Sequence, residues 1–183
     1  MRSQISRSGR KRHVRDNPGE KSFSEQQRSG LDARRADHDR TLEAMHRLEA
    51  AIAEAAPGRE EPWRNEVLQA LSVLEAAAAE ESENARRPDG LLSDLAHNQP
   101  RLRNRARALR LQYEKVRDTI ASLRHELEGR EDVAIDFADV RQRIGWVLTS
   151  LRHQRARESD LIYEAYYDAF NVELRTPGGQ GTP

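Results

Sequence analysis

Four polar residues stand at positions where helical stripes of this chain should carry apolar side chains. They are His38, Glu81, Tyr113 and Glu158, and each interrupts apolar residues spaced three or four apart. Burying a hydroxyl without a partner is unfavourable by about 1 to 3 kcal/mol, and a carboxylate by more. We therefore expect these side chains to contact one another, water or a metal ion. The alternative is four unrelated polar groups at the solvated end of a helical bundle.

The four residues also lie at similar heights if the helices are joined as antiparallel hairpins. Each lies between about 15 and 22 residues from the hairpin connection of its own helix pair, which at 1.5 Å per residue is a spread of roughly 10 Å. The sequence thus predicts one polar layer to which four helices contribute.

Four long helical patterns position this layer. They cover about residues 31–56, 61–87, 100–128 and 136–171, and Pro/Gly-containing turns separate the first three. Leucines just after the turn at 88–90 predict a short extra helix. Because short connections force neighbouring helices to be antiparallel, we expect an all-α fold, an antiparallel up-down four-helix bundle with a short extra helix in the second-third connection. A two-stranded coiled coil is the rival, disfavoured by three Pro/Gly breaks.

The two ends of the chain have a different composition. We expect residues 1–28 to be a disordered basic N-terminal arm, residues 29–174 the bundle, and residues 175–183 a flexible C-terminal tail. The arm has too few large apolar side chains to offset the entropy of ordering. Its arginines could contact nucleic-acid phosphates weakly, but the formal net charge of the chain is zero.

Composition excludes several other classes of site. The chain has no cysteine, so disulfides and thiolate metal sites are excluded, which suits a cytoplasmic protein. No run approaches the roughly 18 apolar residues that span a bilayer, so we expect no membrane insertion. No set of nucleophile, base and oxyanion donors can be assembled, so we expect no enzymatic activity.

An inward polar layer with contributions from four helices resembles the metal layer of the hemerythrin-like (HHE) cation-binding family. That family holds a non-haem di-iron centre with a His on the first helix, HxxxE on the second, HxxxH on the third and HxxxxD on the fourth. His38, in ADHDRTLEAMHRL, resembles the first-helix ligand. His153 and Glu158, in HQRARESDLIYEAY, match the fourth-helix spacing with Glu for Asp. The stretches PDGLL (88–92) and ESDLIYEA (158–165) are also similar to this family.

Two helices depart from the family pattern. Glu81 stands at the expected second-helix His, and Ala85 at its carboxylate. Tyr113 and Arg117 stand at the two third-helix His positions, and a cation at Arg117 would repel iron unless it turns away or pairs with Glu81 or Glu158. The candidate metal ligands are therefore His38, Glu81, Tyr113, His153 and Glu158, with a surface histidine as the alternative for His153.

The resemblance implies a bundle that binds, or formerly bound, a divalent metal. Its cofactor would be non-haem iron, di-iron in the family, and its role oxygen or redox-linked sensing or iron handling through an altered or lost site. The alternative is a metal-free structural or protein-interaction bundle. In that case the aromatic C-terminal helix or the basic arm would hold a protein partner.

Overall fold

The computed structural model describes residues 22–54, 58–129 and 136–175. Within these ranges the chain is all-helical, with five α-helices and no strand. They are α1 (Glu25–Ala53), α2 (Glu60–Arg86), α3 (Leu91–Asn98), α4 (Arg103–Glu128) and α5 (Phe137–Arg175). The all-α class and the short extra helix predicted from the sequence are confirmed. None of the described helices is both long enough and apolar enough to cross a membrane.

Polar side chains fix where the first and last helices begin. The Ser24 side chain accepts a hydrogen bond from the backbone N–H of Gln27 at 3.2 Å, and the Gln27 side chain accepts one from the backbone N–H of Ser24 at 3.1 Å. At the start of α5, Asp136 accepts hydrogen bonds from the backbone N–H groups of Ala138 and Asp139. Both caps satisfy donors that the first turn of a helix leaves free.

Helix α1 begins several residues earlier than the sequence predicted. The cap at Ser24 starts the helix at Glu25, and the Phe23 side chain is buried with ring centroids 5.5 Å from Tyr166 and 4.8 Å from Phe170. Helix α1 therefore begins four residues inside the segment that the sequence assigned to the arm. The prediction of disorder for residues 1–21 lies outside the described residues, as does that of a flexible tail for residues 176–183, whereas Arg175 belongs to α5.

The long helices have a fixed set of neighbours. Helix α1 contacts α2, α2 contacts α4, α4 contacts α5, and α5 contacts α1, while α3 packs against α1, α2 and α4. Their facing sides bury two apolar clusters. The first cluster includes Met45, Leu48, Trp63, Leu71, Ile120, Ile144 and Leu151. The second cluster includes Phe23, Leu92, Leu95, Leu102, Leu109, Leu161 and Tyr166.

Buried polar residues separate the two clusters. On α1 they lie at positions 34, 37 and 41, before the first-cluster residues that begin at 44. On α2 they lie at 81 and 82, and on α5 at 154 and 158, in each case between a first-cluster and a second-cluster residue. The polar layer therefore lies between two apolar clusters, whereas the alternative of unrelated polar groups would place these residues at the solvated end of a bundle.

Candidate functional site

The four polar residues singled out in the sequence meet in one buried network. Tyr113 Oη donates to Glu158 Oε2 at 2.5 Å, and His38 Nε2 lies 2.5 Å from the same oxygen. Glu81 Oε1 lies 3.4 Å from Tyr113 Oη and 3.5 Å from His38 Nε2. The prediction that these side chains approach one another is confirmed, whereas their role as metal ligands stays a prediction.

Arg34 lies at the centre of this network, although the sequence analysis did not single it out. Its side chain is buried on α1, and its Nε and Nη2 donate to the two carboxylate oxygens of Glu158 at 2.8 and 3.0 Å. This is the bidentate geometry in which arginine binds a carboxylate most strongly. Nη2 also donates to Tyr113 Oη at 2.6 Å and to Glu81 Oε1 at 3.4 Å. One guanidinium therefore links α1 to α2, α4 and α5.

Further side chains complete the network. Asp37 Oδ2 accepts a hydrogen bond from Arg34 Nη1 at 3.0 Å, and Asp37 Oδ1 accepts one from Asn84 Nδ2 at 3.0 Å. Thr41 Oγ1 donates to the second oxygen of Glu81 at 2.8 Å. Each carboxylate oxygen of Asp37, Glu81 and Glu158 thus has a donor, which offsets the desolvation of buried charge.

Burial and charge have opposite effects on the two glutamates. Burial alone would raise the pKa of Glu158, but the His38 hydrogen bond and the Arg34 charge outweigh burial and lower that pKa to about 2. Burial has the larger effect at Glu81 and raises its pKa in spite of Arg34. Burial and the neighbouring Glu158 carboxylate raise the pKa of Tyr113 well above its ordinary value. Glu158 is therefore the ionised partner of Arg34, and Tyr113 a neutral donor.

Two residues expected near the layer lie elsewhere. His153 is exposed, and it is not among the described His and acidic side chains whose ligand atoms converge. Five residues along a helix correspond to a rotation of about 140°, which turns His153 away from the side that carries Glu158. Arg117 pairs with Asp118 at 2.7 Å, and among the described residues it is Tyr113, not Arg117, that hydrogen-bonds to Glu81 and Glu158.

The converging ligand atoms do not fit a di-iron centre. In the described part of the chain, His38, Glu81 and Glu158 each offer one ligand atom within 4.8 Å of the others. This set supplies one imidazole where the family motifs supply five, and Ala85 stands at the position of the second-helix carboxylate. The Arg34 guanidinium also holds both glutamates, and it cannot lose its proton to make room for a metal charge.

Two buried atoms in the layer have no hydrogen-bond partner among the described residues. They are Gln154 Oε1, one turn before Glu158 on α5, and Ser82 Oγ, next to Glu81 on α2. Buried polar atoms nearly always have a partner, so the layer has unused hydrogen-bonding capacity at these two atoms.

The fold and the site together define an all-helical protein with an arginine-centred polar layer. In comparisons with known proteins, no protein-family model, no curated protein and no solved structure matches this chain. The hemerythrin-like resemblance therefore rests on the residues quoted from the sequence.

Proposed function

We propose that this chain is a hemerythrin-like bundle in which an arginine occupies the place of the metal centre, and that the protein acts through its surface as a metal-free interaction bundle. One observation carries the proposal. The Arg34 guanidinium lies within hydrogen-bond distance of both glutamates that would otherwise bind a metal. Because the Arg34 guanidinium supplies a positive charge beside these glutamates, no metal ion is needed to neutralise them.

The proposal includes an antiparallel up-down arrangement of the four long helices. Side-chain contacts support it, because residue numbers rise along one helix while they fall along its neighbour. The supporting pairs are Asp37–Asn84 and Arg40–Glu80 for α1 and α2, Glu75–Arg124 and Ala85–Arg110 for α2 and α4, Gln112–Arg157 and Glu126–Arg143 for α4 and α5, and Arg34–Glu158 and Glu49–Arg152 for α1 and α5.

Electrostatics favours the metal-free state. A divalent ion bound by Glu81 and Glu158 would lie within a few ångströms of the guanidinium, and two cations repel strongly where water is excluded. Arg34 would have to leave its bidentate pair with Glu158. Asp37 would then lose its hydrogen bond from Arg34 as well. Both changes oppose metal binding.

Metal analysis tests the proposal. We expect protein purified from iron-supplemented cells to contain much less than one metal ion per chain and to show no charge-transfer bands in the visible spectrum. A chelator should leave the melting temperature unchanged, because no metal contributes to folding. Stoichiometric iron with charge-transfer bands would overturn the proposal.

A second candidate function is the binding of a single divalent ion. The convergence of His38, Glu81 and Glu158 favours it, together with the unpartnered Gln154 Oε1 in the same layer. Calorimetric titration with Mn²⁺ or Zn²⁺ separates the two candidates. The metal-free proposal predicts no binding by the wild type and detectable binding by Arg34→Met, which removes the competing cation.

The single-ion candidate predicts one ion per wild-type chain and loss of that ion in His38→Ala. The Arg34→Met/His38→Ala double variant is the matched control, since it lacks both the competing charge and the imidazole ligand. Binding by this control would show that the metal lies outside the polar layer.

A further inference from the structure

Helix α5 has a second stripe of residues, on its solvent-facing side. The stripe alternates spacings of three and four residues and comprises Trp146, Thr149, His153, Ala156, Asp160, Tyr163 and Tyr167. All seven are exposed. Alternating spacings of three and four are the pattern with which one helix packs along another. We call this set the outer stripe.

Large aromatic side chains lie at both ends of the outer stripe. Trp146 is 64 % exposed, and Tyr163 and Tyr167 are 55 % and 51 % exposed. The rings of Tyr163 and Tyr167 pack edge to face with their centroids 5.4 Å apart, so they form one aromatic surface at this end of the stripe. Leu111 of α4 is 57 % exposed and lines the same groove between α4 and α5 as Trp146. Exposed tryptophan, tyrosine and leucine side chains on one face are typical of a protein interface.

The middle of the outer stripe carries a basic imidazole, His153, and an acidic carboxylate, Asp160. His153 and Asp160 have no hydrogen-bond or ion-pair partner among the described residues. They are seven residues apart, about 10 Å along the helix, so they do not pair with each other. Between them lies Ala156, which is small enough to allow another helix to approach closely.

We propose that the outer stripe is a homodimer interface in which two α5 helices pair antiparallel around a two-fold axis near Ala156. This pairing places His153 beside the partner subunit's Asp160, and by symmetry Asp160 beside the partner subunit's His153. Parallel pairing would place like beside like at both positions. A closed two-fold interface of this kind uses the same patch on both copies.

Antiparallel pairing also matches the apolar ends. Trp146 lies about as far before Ala156 as Tyr163 and Tyr167 lie after it, so each tryptophan meets the tyrosine pair of the other copy. The inference deepens the proposed function by naming the partner as a second copy of this chain. Its test reads the oligomeric state, whereas the proposed function is tested by metal content, so the two can fail separately.

A disulfide tests the position of the axis. Because the chain has no cysteine, Ala156→Cys introduces the only thiol. A disulfide needs Cα atoms within about 7 Å, a separation that occurs near a two-fold axis. We expect this variant to form a covalent dimer under mild oxidation much faster than the control Ser72→Cys, an exposed site on α2.

Charge exchange tests the pairing. We expect His153→Glu and Asp160→Lys each to weaken the dimer about tenfold, measured by sedimentation from micromolar to sub-millimolar concentration. An equimolar mixture of these two variants should form a heterodimer of near wild-type affinity, because both of its contacts then pair opposite or neutral groups. Both positions are exposed, so circular dichroism of each variant should match the wild type.

Three results would overturn the inference. One is a wild-type protein that stays monomeric over the whole concentration range. Another is equal rates of disulfide formation for Ala156→Cys and Ser72→Cys. The third is a mixture of His153→Glu and Asp160→Lys that remains as dissociated as each variant alone.

Discussion

At the scale of single residues, the polar layer depends on the pair between Arg34 and Glu158. A guanidinium has five donors in one plane, so Arg34 can bind both oxygens of Glu158 and still reach Tyr113, Glu81 and Asp37. A lysine has one donor nitrogen, so it could not make all of these hydrogen bonds in the same geometry. The four helices are therefore held at one level by a single planar group.

Neutral replacements of the two glutamates should have unequal effects. We expect Glu158→Gln to lower the free energy of unfolding by about 3 kcal/mol, because it leaves the buried Arg34 without its ionised partner. Glu81→Gln should change it by less than about 1 kcal/mol, since burial already disfavours the charged form of Glu81. Urea denaturation at pH 7 measures both. Equal losses of stability for the two variants would contradict this difference between Glu158 and Glu81.

Acid should weaken the fold through the same pair. The pKa of Glu158 is lowered from 4.5 to about 2, so its stabilisation is complete above pH 4.5 and is lost as the pH falls towards 2. The full shift corresponds to roughly 3 kcal/mol. The free energy of unfolding of the wild type should therefore fall more steeply below pH 4.5 than that of Glu158→Gln. Parallel pH profiles would exclude Glu158 as the cause.

The sequence predicted the members of the layer better than its centre. His38, Glu81, Tyr113 and Glu158 stood out because each interrupts an apolar stripe near a common height. Arg34 was missed because a long charged side chain on a helix usually reaches solvent. A signal was nevertheless present, since Arg34 continues the buried positions of α1 back by one turn at the spacing of three or four residues.

At the scale of elements, the contacts of Phe23, just before α1, with the end of α5 extend the second cluster beyond what periodicity showed. Phe23 precedes the helix, and one isolated phenylalanine has no period to detect. Its partner segment is also irregular, because α5 has non-helical backbone angles at Tyr166 (φ −119°, ψ 23°). Tyr166 Oη donates to Asp94 Oδ2 at 2.8 Å, which ties this part of α5 to α3.

Phe23 should therefore be part of the stable fold. We expect Phe23→Ala to lower the free energy of unfolding by about 2 to 4 kcal/mol, because it removes a buried ring between Tyr166 and Phe170. The exposed neighbour Ser22→Ala should have no measurable effect and is the matched control. Thermal or urea unfolding compares the two. If Phe23→Ala left the free energy of unfolding unchanged, the Phe23 ring would not contribute to the second cluster.

At the scale of the whole molecule, a polar layer between two apolar clusters restricts how the helices can align. Sliding one long helix by a turn would keep apolar side chains in contact but would separate Arg34 from Glu158 and Thr41 from Glu81. Buried polar groups left without partners are unfavourable, so the shifted alignments lose stability. We infer that the layer fixes the relative heights of the helices.

The two clusters should unfold together, because Arg34 and its partners belong to the same layer that joins them. In Trp146→Phe, the remaining indole is Trp63, which is buried in the first cluster and contacts Phe137 at 5.0 Å. Its fluorescence should change at the same urea concentration as the far-ultraviolet dichroism of all helices. Separate midpoints would mean that the first cluster unfolds on its own.

The central position of Arg34 has a consequence for how the protein is made. A bound metal must be supplied from outside, reaches only some of the chains, and can be lost again. A guanidinium is synthesised with the carboxylates that it neutralises, one per chain, and it cannot dissociate or be exchanged for a wrong ion. Every copy of the chain therefore carries a counter-ion for Glu158 from its synthesis onwards.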